Sequence, residues 1–524
     1  MLKRDIITLL FIVLNSSFLF AQGGTKIDTN FESGSIGSYR ITDSVTIPGR
    51  DNDTIRIVNL DIFSRFDPKN PVDTSLSSSA RWYYFRLTGV KNCVIYLKIF
   101  NSEAIRPFLS YDNKNFERFS FQENSKKGRL VKFFEKDTVY VCHYIPYTYS
   151  RLNSKIEQWS DRKCVEVGII GKSHDTLDIP MLKITDENVS DRNKKVIWIH
   201  GRSHPSESPA SWHLESLIDQ ISDNSEYAKE IRKKCIFYIV PFINPDGVYG
   251  GYSRSSSTGV NLEINWDRPD SLTMPEVKVL KRTIDSLYKV HKSIPLFLNM
   301  HSQIANSVTY WIHDAASTTG EFFKQQMLLS NLTAASTHYY SPEDQSFSKV
   351  ASRYAEGWIW DRVKEKTLAI TFETPYTYYR EDINGAWVSP ENLGELATSS
   401  LNAITDYLQL KLSERRIVDA PKPLNKNSWQ SISSPEYVHF GEGHIVSLKV
   451  GERVTFKAKD LKKGRYSIYL WRAGRADNFS DRSSNIWEGY GEIDQKRDGT
   501  LKVVIESERA GEVIDAILLK KIGD

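Results

Sequence analysis

The chain has 524 residues, which is enough for two or three domains. Its hydrophobic content of 40% and charged content of 26% are ordinary for a folded protein and exclude a largely disordered one. The net charge of +4, with no basic cluster, gives no indication that the protein binds nucleic acid.

The first 21 residues have the pattern of a signal peptide. Lys3 and Arg4 precede an uncharged apolar run over residues 6–20, and Ala21 stands at the cleavage position. We therefore predict a signal peptide over residues 1–21 and a secreted or periplasmic protein with no transmembrane segment after signal removal. An uncleaved anchor is the alternative, which we disfavour because the apolar run is short of a full membrane span.

Residues 25–185 predict an antiparallel β-sandwich-type domain. Aromatic and β-branched residues are concentrated in period-two runs over residues 82–87, 93–100 and 137–144, with turn signals between them. No helix-period stretch of any length interrupts these runs. The pattern is typical of an N-terminal domain built from strands alone.

From residue 186 to residue 416 the pattern changes to alternating strands and helices. Apolar runs that predict strands cover residues 196–199, 236–240, 296–298 and 368–372. Amphipathic stretches that predict helices cover residues 209–222, 275–290, 321–335 and 390–412. This alternation predicts an α/β domain with a mixed, largely parallel sheet and helices on both faces.

The remaining residues predict a linker and a third domain. Residues 417–428 are polar and contain proline, which is typical of a linker. Short period-two runs then recur from residue 445 to residue 519. We therefore predict a small C-terminal β-domain over residues 429–524.

Residues with metal-binding chemistry follow three of the predicted parallel strands. His204 and Glu207 come after the first strand, His301 after the third and Glu373 after the fourth. Because the carboxyl ends of parallel strands meet at one edge of a sheet, we expect these side chains to lie together. Three protein ligands with an open fourth position are the pattern of a catalytic zinc, and a nearby carboxylate can take a proton from water. For His204 and Glu207 alone, a solvated loop is the alternative interpretation.

These motifs resemble those of the M14 zinc carboxypeptidases. The family's His-x-x-Glu motif is matched by His204 and Glu207, its later zinc histidine by His301 and its general-base glutamate by Glu373. Arg254 matches the family arginine that stabilises the oxyanion. The resemblance implies one zinc ion per chain, held by the first three residues, and hydrolysis of peptide bonds by activated water.

The resemblance extends upstream of these motifs. The sequences WYYF at residues 82–85 and YIPYTYS at residues 144–150 are similar to the β-domain that precedes the catalytic domain in the cytosolic carboxypeptidase subfamily. In total the resemblance covers roughly residues 82–412.

The predicted substrate-binding loop departs from the family pattern. The family reads Gly-Val-Asp-x-Asn-Arg-x-Trp, whereas residues 259–266 read GVNLEINW. The Asn-Arg pair that binds a terminal carboxylate is replaced by Glu263 and Ile264, and isoleucine cannot bind a carboxylate. We predict that Glu263 contacts substrate and favours an amine or a hydroxyl group. Asn261 replaces the aspartate that supports the first zinc histidine, and we expect it to accept the imidazole N–H more weakly.

Two further residues are candidates for substrate contact. Tyr354 is a candidate equivalent of the family's mobile substrate-contacting tyrosine, and packing is the alternative role. Arg380 could replace the missing carboxylate clamp, since it follows Glu373 closely in the sequence.

The sequence thus predicts a secreted zinc metallopeptidase that acts on a peptide or a peptidoglycan-derived substrate. Two alternatives stay open. One is an amidohydrolase or endopeptidase-like enzyme that cleaves cell-wall or capped peptides, which the loss of the clamp favours. The other is a zinc-binding protein without turnover, which Glu373 and Arg254 disfavour because binding needs neither a base nor an oxyanion donor.

Overall fold

The structure is a computed structural model. It describes residues 24–49, 53–71, 73–103, 105–124, 129–379, 386–422, 428–432, 437–441, 443–471, 474–475 and 487–523. The predicted signal peptide and Arg380 lie outside the described residues. The chain divides into two compact units, the first formed by residues 1–69, 75–146 and 248–253 and the second by residues 70–74, 147–247 and 254–524.

The first unit is a β-sandwich. Its strands are β1 (Lys26–Asp28), β2 (Ser38–Pro48), β3 (Thr54–Phe63), β4 (Tyr84–Thr88), β5 (Cys93–Phe100), β6 (Phe108–Ser110), β7 (Glu117–Arg118), β8 (Leu130–Phe134) and β9 (Val139–Cys142). They form one sheet in the order β1-β4-β9-β6-β7 and another in the order β2-β3-β5-β8. Alternate residues of both sheets, such as Leu60 on β3 and Phe85 on β4, are buried in one shared core. The predicted sandwich is confirmed, although β3 and β5 pair in parallel.

A short segment from much later in the chain completes this first unit. Residues 248–253 belong to it, and the main-chain N–H of Ser33 donates to the carbonyl of Tyr249 at 2.8 Å. The hydroxyl of Ser253 accepts the main-chain N–H groups of Arg81 and Trp82, each at 2.9 Å. The β-sandwich is therefore not formed by one continuous stretch of sequence.

The second unit contains the predicted α/β part. Its strands are β10 (Val165–Lys172), β11 (Asp178–Ile184), β12 (Lys195–Gly201), β13 (Cys235–Val240), β14 (Leu296–Gln303), β15 (Thr309–His313), β16 (Ser346–Ser348) and β17 (Leu368–Pro375). The helices here are α1 (Tyr149–Ser160), α2 (Ser208–Ser222), α3 (Glu226–Arg232), α4 (Pro245–Tyr249), α5 (Pro275–His291), α6 (Gly320–Ala334), α7 (Ala355–Val363) and α8 (Pro390–Tyr407). The strands form one mixed sheet in the order β10-β11-β13-β12-β14-β17-β15-β16.

The four predicted apolar strands are the centre of this sheet. Strands β13, β12, β14 and β17 are neighbours and run parallel to one another. Strands β12, β13 and β14 are almost completely buried, as expected of parallel strands covered by helices. The fold predicted for this part is confirmed, and three of the four predicted helices match within a residue at each end. Helix α8 ends at Tyr407 rather than at residue 412.

The predicted boundary at residue 185 is wrong, because the α/β part begins earlier. Strand β11 pairs with both β10 and β13, so β10 and β11 belong to the large sheet, with β10 at its edge, and not to the sandwich. Helix α1 also contradicts the prediction that residues 25–185 contain no helix. Only Leu152 and Trp159 of α1 are buried and most of its residues are polar, so the sequence gives little apolar signal for it. The helix begins after Thr148, whose side chain accepts the N–H of Arg151.

The C-terminal part is a set of small sheets around one core. Its strands are β18 (Arg415–Asp419), β19 (Trp429–Ile432), β20 (Tyr437–Val438), β21 (His444–Ser447), β22 (Arg453–Leu461), β23 (Gly464–Trp471), β24 (Gly474–Arg475), β25 (Trp487–Gln495), β26 (Gly499–Glu506), β27 (Val513–Ile514) and β28 (Ala516–Gly523). The predicted linker over residues 417–428 starts inside β18, which pairs with β28. In the part of the chain that the structure describes, no helix is long and apolar enough to cross a membrane.

Candidate active site

The loop that carries His204 and Glu207 connects β12 to α2. Strand β12 is buried from its second residue onward, and helix α2 begins at Ser208 with Pro209 in its first turn. Glu207 is the N-cap residue, but its side chain does not cap the helix. The carboxylate is instead directed at two histidines. His204 and Glu207 are each 2% exposed.

The carboxylate of Glu207 lies between the two predicted zinc histidines. Its Oε1 atom is 2.8 Å from Nδ1 of His204, and its Oε2 atom is 2.8 Å from Nδ1 of His301. The main-chain N–H of Ser302 also donates to Oε2, at 3.0 Å. One ligand atom from each of His204, Glu207 and His301 can be chosen so that all three lie within 4.8 Å of one another. The structure thus brings together the three residues that the sequence predicted as ligands.

The chemistry of this group fits a divalent metal ion. Two imidazole nitrogens and a carboxylate are common zinc ligands, and three of them leave a coordination position open. Burial alone would lower the pKa of His301, but the charges of Glu207 and Glu263 outweigh it and raise that pKa to about 9. Buried carboxylates therefore favour positive charge at this point, which a bound cation supplies.

Glu373 lies beside His301 on the neighbouring strand. The two residues are register partners of the parallel strands β14 and β17. Burial and then the negative charge of Glu207 raise the pKa of Glu373 to about 7. A carboxylate whose pKa is near neutrality can both accept and return a proton, which is what a general base in hydrolysis must do.

The loop over residues 259–266 places Asn261 and Glu263 against His204. The Nε2 atom of His204 is 3.2 Å from Oδ1 of Asn261 and 2.8 Å from Oε2 of Glu263. Arg254 donates to the same Glu263 oxygen from Nη2, at 3.1 Å. Burial opposes ionisation of Glu263, but His204, His301 and Arg254 lower its pKa to about 2. Glu263 thus has partners within the protein, and its predicted contact with substrate stays a prediction.

Among the described residues, no hydrogen bond or ion pair joins Tyr354 to the metal-binding residues. It is the N-cap residue of α7, and its hydroxyl accepts a hydrogen bond from Nη2 of Arg353 at 3.1 Å. Its predicted role in substrate binding stays a prediction, as does that of Arg380, which lies outside the described residues.

Arg202 is a site residue that the sequence analysis missed. It has a φ of 59° and is 2% exposed, directly before the predicted metal-binding loop. Its guanidinium donates to the carbonyl of Pro205 and, at 2.9 Å, to the hydroxyl of Ser211 on α2. It therefore fixes the loop to the helix. The sequence did not indicate that this residue is buried, because it is charged and lies in a glycine-containing turn.

Comparison with known proteins agrees with this geometry. Residues 154–386 match the model of a family described as zinc carboxypeptidase. Cytosolic carboxypeptidase 6 of Mus musculus is 26% identical over 308 residues, which are 56% of this chain and 56% of that protein. An uncharacterized protein of Zymomonas mobilis is 23% identical over 354 residues, which are 64% of this chain and 89% of that protein.

Solved structures show the same fold. A metallo-carboxypeptidase from Burkholderia cenocepacia superposes with a TM-score of 0.58 and 20% identity, over 73% of this chain and 99% of that one. A metallo-carboxypeptidase from Pseudomonas aeruginosa superposes with a TM-score of 0.57 and 20% identity, over 73% of this chain and 100% of that one. At these identities the likeness shows the fold alone.

The fold and the His-Glu-His group together define a metal-dependent hydrolase with the carboxypeptidase architecture. Residues 154–386 match the zinc carboxypeptidase family model, and this match and the fold support metallopeptidase activity. The chain spans 56% of the length of the mouse cytosolic carboxypeptidase 6 and 25% of cytosolic carboxypeptidase 1 from Xenopus laevis.

Proposed function

We propose that this protein is an exported zinc-dependent peptidase that hydrolyses peptide bonds with a glutamate general base. Export rests on the signal peptide predicted over residues 1–21. We assign one zinc ion per chain to His204, Glu207 and His301. The substrate that we propose is a peptide, free or derived from peptidoglycan.

We assign the roles of the remaining residues by their match to the motifs of the family. A bound zinc ion supplies a Lewis acid that polarises the scissile carbonyl and activates water. Glu373 takes a proton from the attacking water and delivers it to the leaving amine, so that a neutral amine departs. Arg254 stabilises the negative charge that develops on the carbonyl oxygen. Its side chain is 44% exposed, so the guanidinium is accessible from solvent.

One observation carries this proposal, namely the convergence of four side chains at the carboxyl ends of parallel strands. Nδ1 of His204, Nδ1 of His301 and the carboxylate of Glu207 face one another, and Glu373 stands next to His301 in register. Metal binding alone would not require a buried carboxylate beside the ligands. Glu373 therefore favours an enzyme over a binding protein without turnover.

A second candidate function differs from the first in the C-terminal group of the substrate. The residues at the family's carboxylate clamp are Glu263 and Ile264, and neither can bind a carboxylate. The charge of Glu263 also repels an anionic group nearby. This observation favours cleavage of capped or cell-wall peptides that lack a free carboxylate next to the scissile bond.

The decisive experiment combines metal analysis with a substrate screen. The wild-type protein should contain about one zinc per chain, and His301→Ala should lose most of it. Mass spectrometry of peptide and peptidoglycan-fragment libraries should then identify a cleaved substrate. On that substrate, Glu373→Gln should retain zinc but lose about 10²–10⁴-fold in turnover, because the proton acceptor is gone.

A matched control is the exposed Glu157 on α1. Glu157→Gln makes the same chemical change away from the predicted metal ligands and should leave both zinc content and turnover unchanged. Zinc content that is unchanged in His301→Ala would refute the ligand assignment. A Glu373→Gln variant as active as the control would show that Glu373 is not the base.

A further inference from the structure

One carboxylate faces the outer nitrogens of both predicted zinc histidines. Glu263 Oε2 lies 2.8 Å from Nε2 of His204, and its Oε1 lies 3.8 Å from Nε2 of His301. All three side chains are largely buried, with exposed fractions of 11% for Glu263, 2% for His204 and 0% for His301. Among the described residues, Nε2 of His301 has no hydrogen-bond partner. Its separation of 3.8 Å from Oε1 of Glu263 is within the range of an ion pair.

Glu263 is itself held in place from two sides. It lies in a short 3₁₀ turn over Leu262–Ile264, where Oδ1 of Asn261 accepts its main-chain N–H at 3.0 Å. Nη2 of Arg254 donates to its Oε2 atom at 3.1 Å. Hydrogen bonds thus hold both the main chain and a carboxylate oxygen of Glu263. A side chain held in this way is suited to orienting other groups.

Asn261 and Glu263 both face Nε2 of His204, and each can accept its N–H when that nitrogen carries the proton. The distance from Nε2 is 3.2 Å to the amide oxygen of Asn261 and 2.8 Å to the carboxylate of Glu263. Hydrogen bonds to ionised acceptors are shorter and roughly twice as strong as those to neutral ones. Glu263 is therefore the main acceptor, although Asn261 stands at the position of the family's supporting aspartate.

This arrangement favours one nitrogen of each histidine as the metal ligand. When Nε2 carries the proton and donates to Glu263, the lone pair of a neutral imidazole is on Nδ1. The Nδ1 atoms of both His204 and His301 face the carboxylate of Glu207. A lone pair directed at a carboxylate is repulsive unless a cation lies between them. A carboxylate at Nε2 thus favours the neutral tautomer with its proton on Nε2, which leaves Nδ1 for a metal.

We propose that Glu263 is a positioning residue that orients His204 and His301 for metal binding through their Nε2–H groups. In this chain a position that resembles the family's substrate clamp has become part of the support of the metal site. The inference rests on the proposed function, in which His204, Glu207 and His301 hold zinc.

The test is the zinc affinity of purified variants, measured by competition with a chromophoric chelator. Glu263→Gln keeps the size of the side chain but removes its charge, and should weaken zinc binding about 10–100-fold, as loss of a partner of a ligating histidine does. The double variant Glu263→Gln with Asn261→Asp returns a carboxylate to Nε2 of His204 and should recover part of that loss. Cobalt(II) absorption spectra of the same proteins should shift in Glu263→Gln and return toward wild type in the double variant.

Glu215 on α2 provides a matched control. Its side chain is 12% exposed and pairs with Arg151 at 2.9 Å, much as Glu263 pairs with Arg254. Glu215→Gln should bind zinc as the wild type does. Glu263→Gln with wild-type zinc affinity would overturn the inference, and so would a double variant with no recovery, because the loss would then not come from the charge. A wild-type protein that binds no zinc would instead overturn the proposed function itself.

Discussion

Replacing Glu276 with glutamine should change how stability depends on pH. Glu276 is in the first turn of α5 and is 0% exposed. Its Oε1 atom accepts the main-chain N–H of His174 at 2.8 Å, while Oε2 has no hydrogen-bond partner among the described residues. Burial, aided by the charge of Asp246, raises the pKa of Glu276 to about 7 from its ordinary value of 4.5.

The sign and the size of the effect follow from this pKa. Because the folded protein holds the proton more tightly than the unfolded chain, the contribution of Glu276 to stability is complete below pH 4.5. It is lost as the pH rises to about 7. Each pH unit in this window changes the free energy of unfolding by about 1.4 kcal/mol, so the whole window is worth about 3 kcal/mol.

The assay is urea unfolding of the wild type and of Glu276→Gln over a range from pH 4.5 to pH 8. Relative to the wild type, the variant should gain about 3 kcal/mol of stability across this range, because glutamine does not ionise. The exposed Glu157→Gln serves as the control and should run parallel to the wild type. A Glu276→Gln profile that is also parallel would show that Glu276 is not held protonated, and would refute the reasoning.

Two further predictions concern the loops around the metal site. Arg202→Met removes the donor to the buried carbonyl of Pro205. This change should lower the free energy of unfolding of the metal-free protein by about 1–3 kcal/mol. An unchanged midpoint of urea unfolding would contradict this prediction. Grafting the family clamp needs Glu263→Asn and Ile264→Arg, together with Asn261→Asp to keep a carboxylate near the histidine. The wild type should cleave a free-acid peptide and its C-terminal amide with similar kcat/KM, whereas the graft should favour the free acid by at least about tenfold, since one charge-assisted hydrogen bond is worth about 1.5–3 kcal/mol. A wild type that strongly favours the free acid would show that another residue binds the carboxylate.

The metal-binding residues could be predicted because they lie near the ends of strands that the sequence identifies. His301 and Glu373 each follow a continuous apolar run, and such runs predict buried parallel strands whose ends share one edge. The structure places these two residues in register on neighbouring strands. Local sequence therefore sufficed to place them, since the sheet supplies the rest of the geometry.

The contacts that surround the metal-binding residues could not be predicted in the same way. The pairing of Arg254 with Glu263 joins two loop residues whose side-chain directions are set by tertiary packing. The resemblance to a substrate clamp indicated a role for position 263 but not the direction in which its carboxylate points. The burial of Arg202 gave no signal either, because arginine is mostly exposed in proteins. Helix α1 was missed because most of its surface is polar.

The segment at residues 248–253 has a consequence for how the protein is synthesised. The hydroxyl that accepts the main-chain N–H of Trp82 belongs to Ser253 and is translated 171 residues later. The β-sandwich therefore cannot reach its final form on the ribosome until a large part of the α/β region has been made. A gene fragment that stops at residue 146 would encode all nine of the strands described for the sandwich but not the segment that completes it. The two units are thus linked during biogenesis as well as by the chain that connects them.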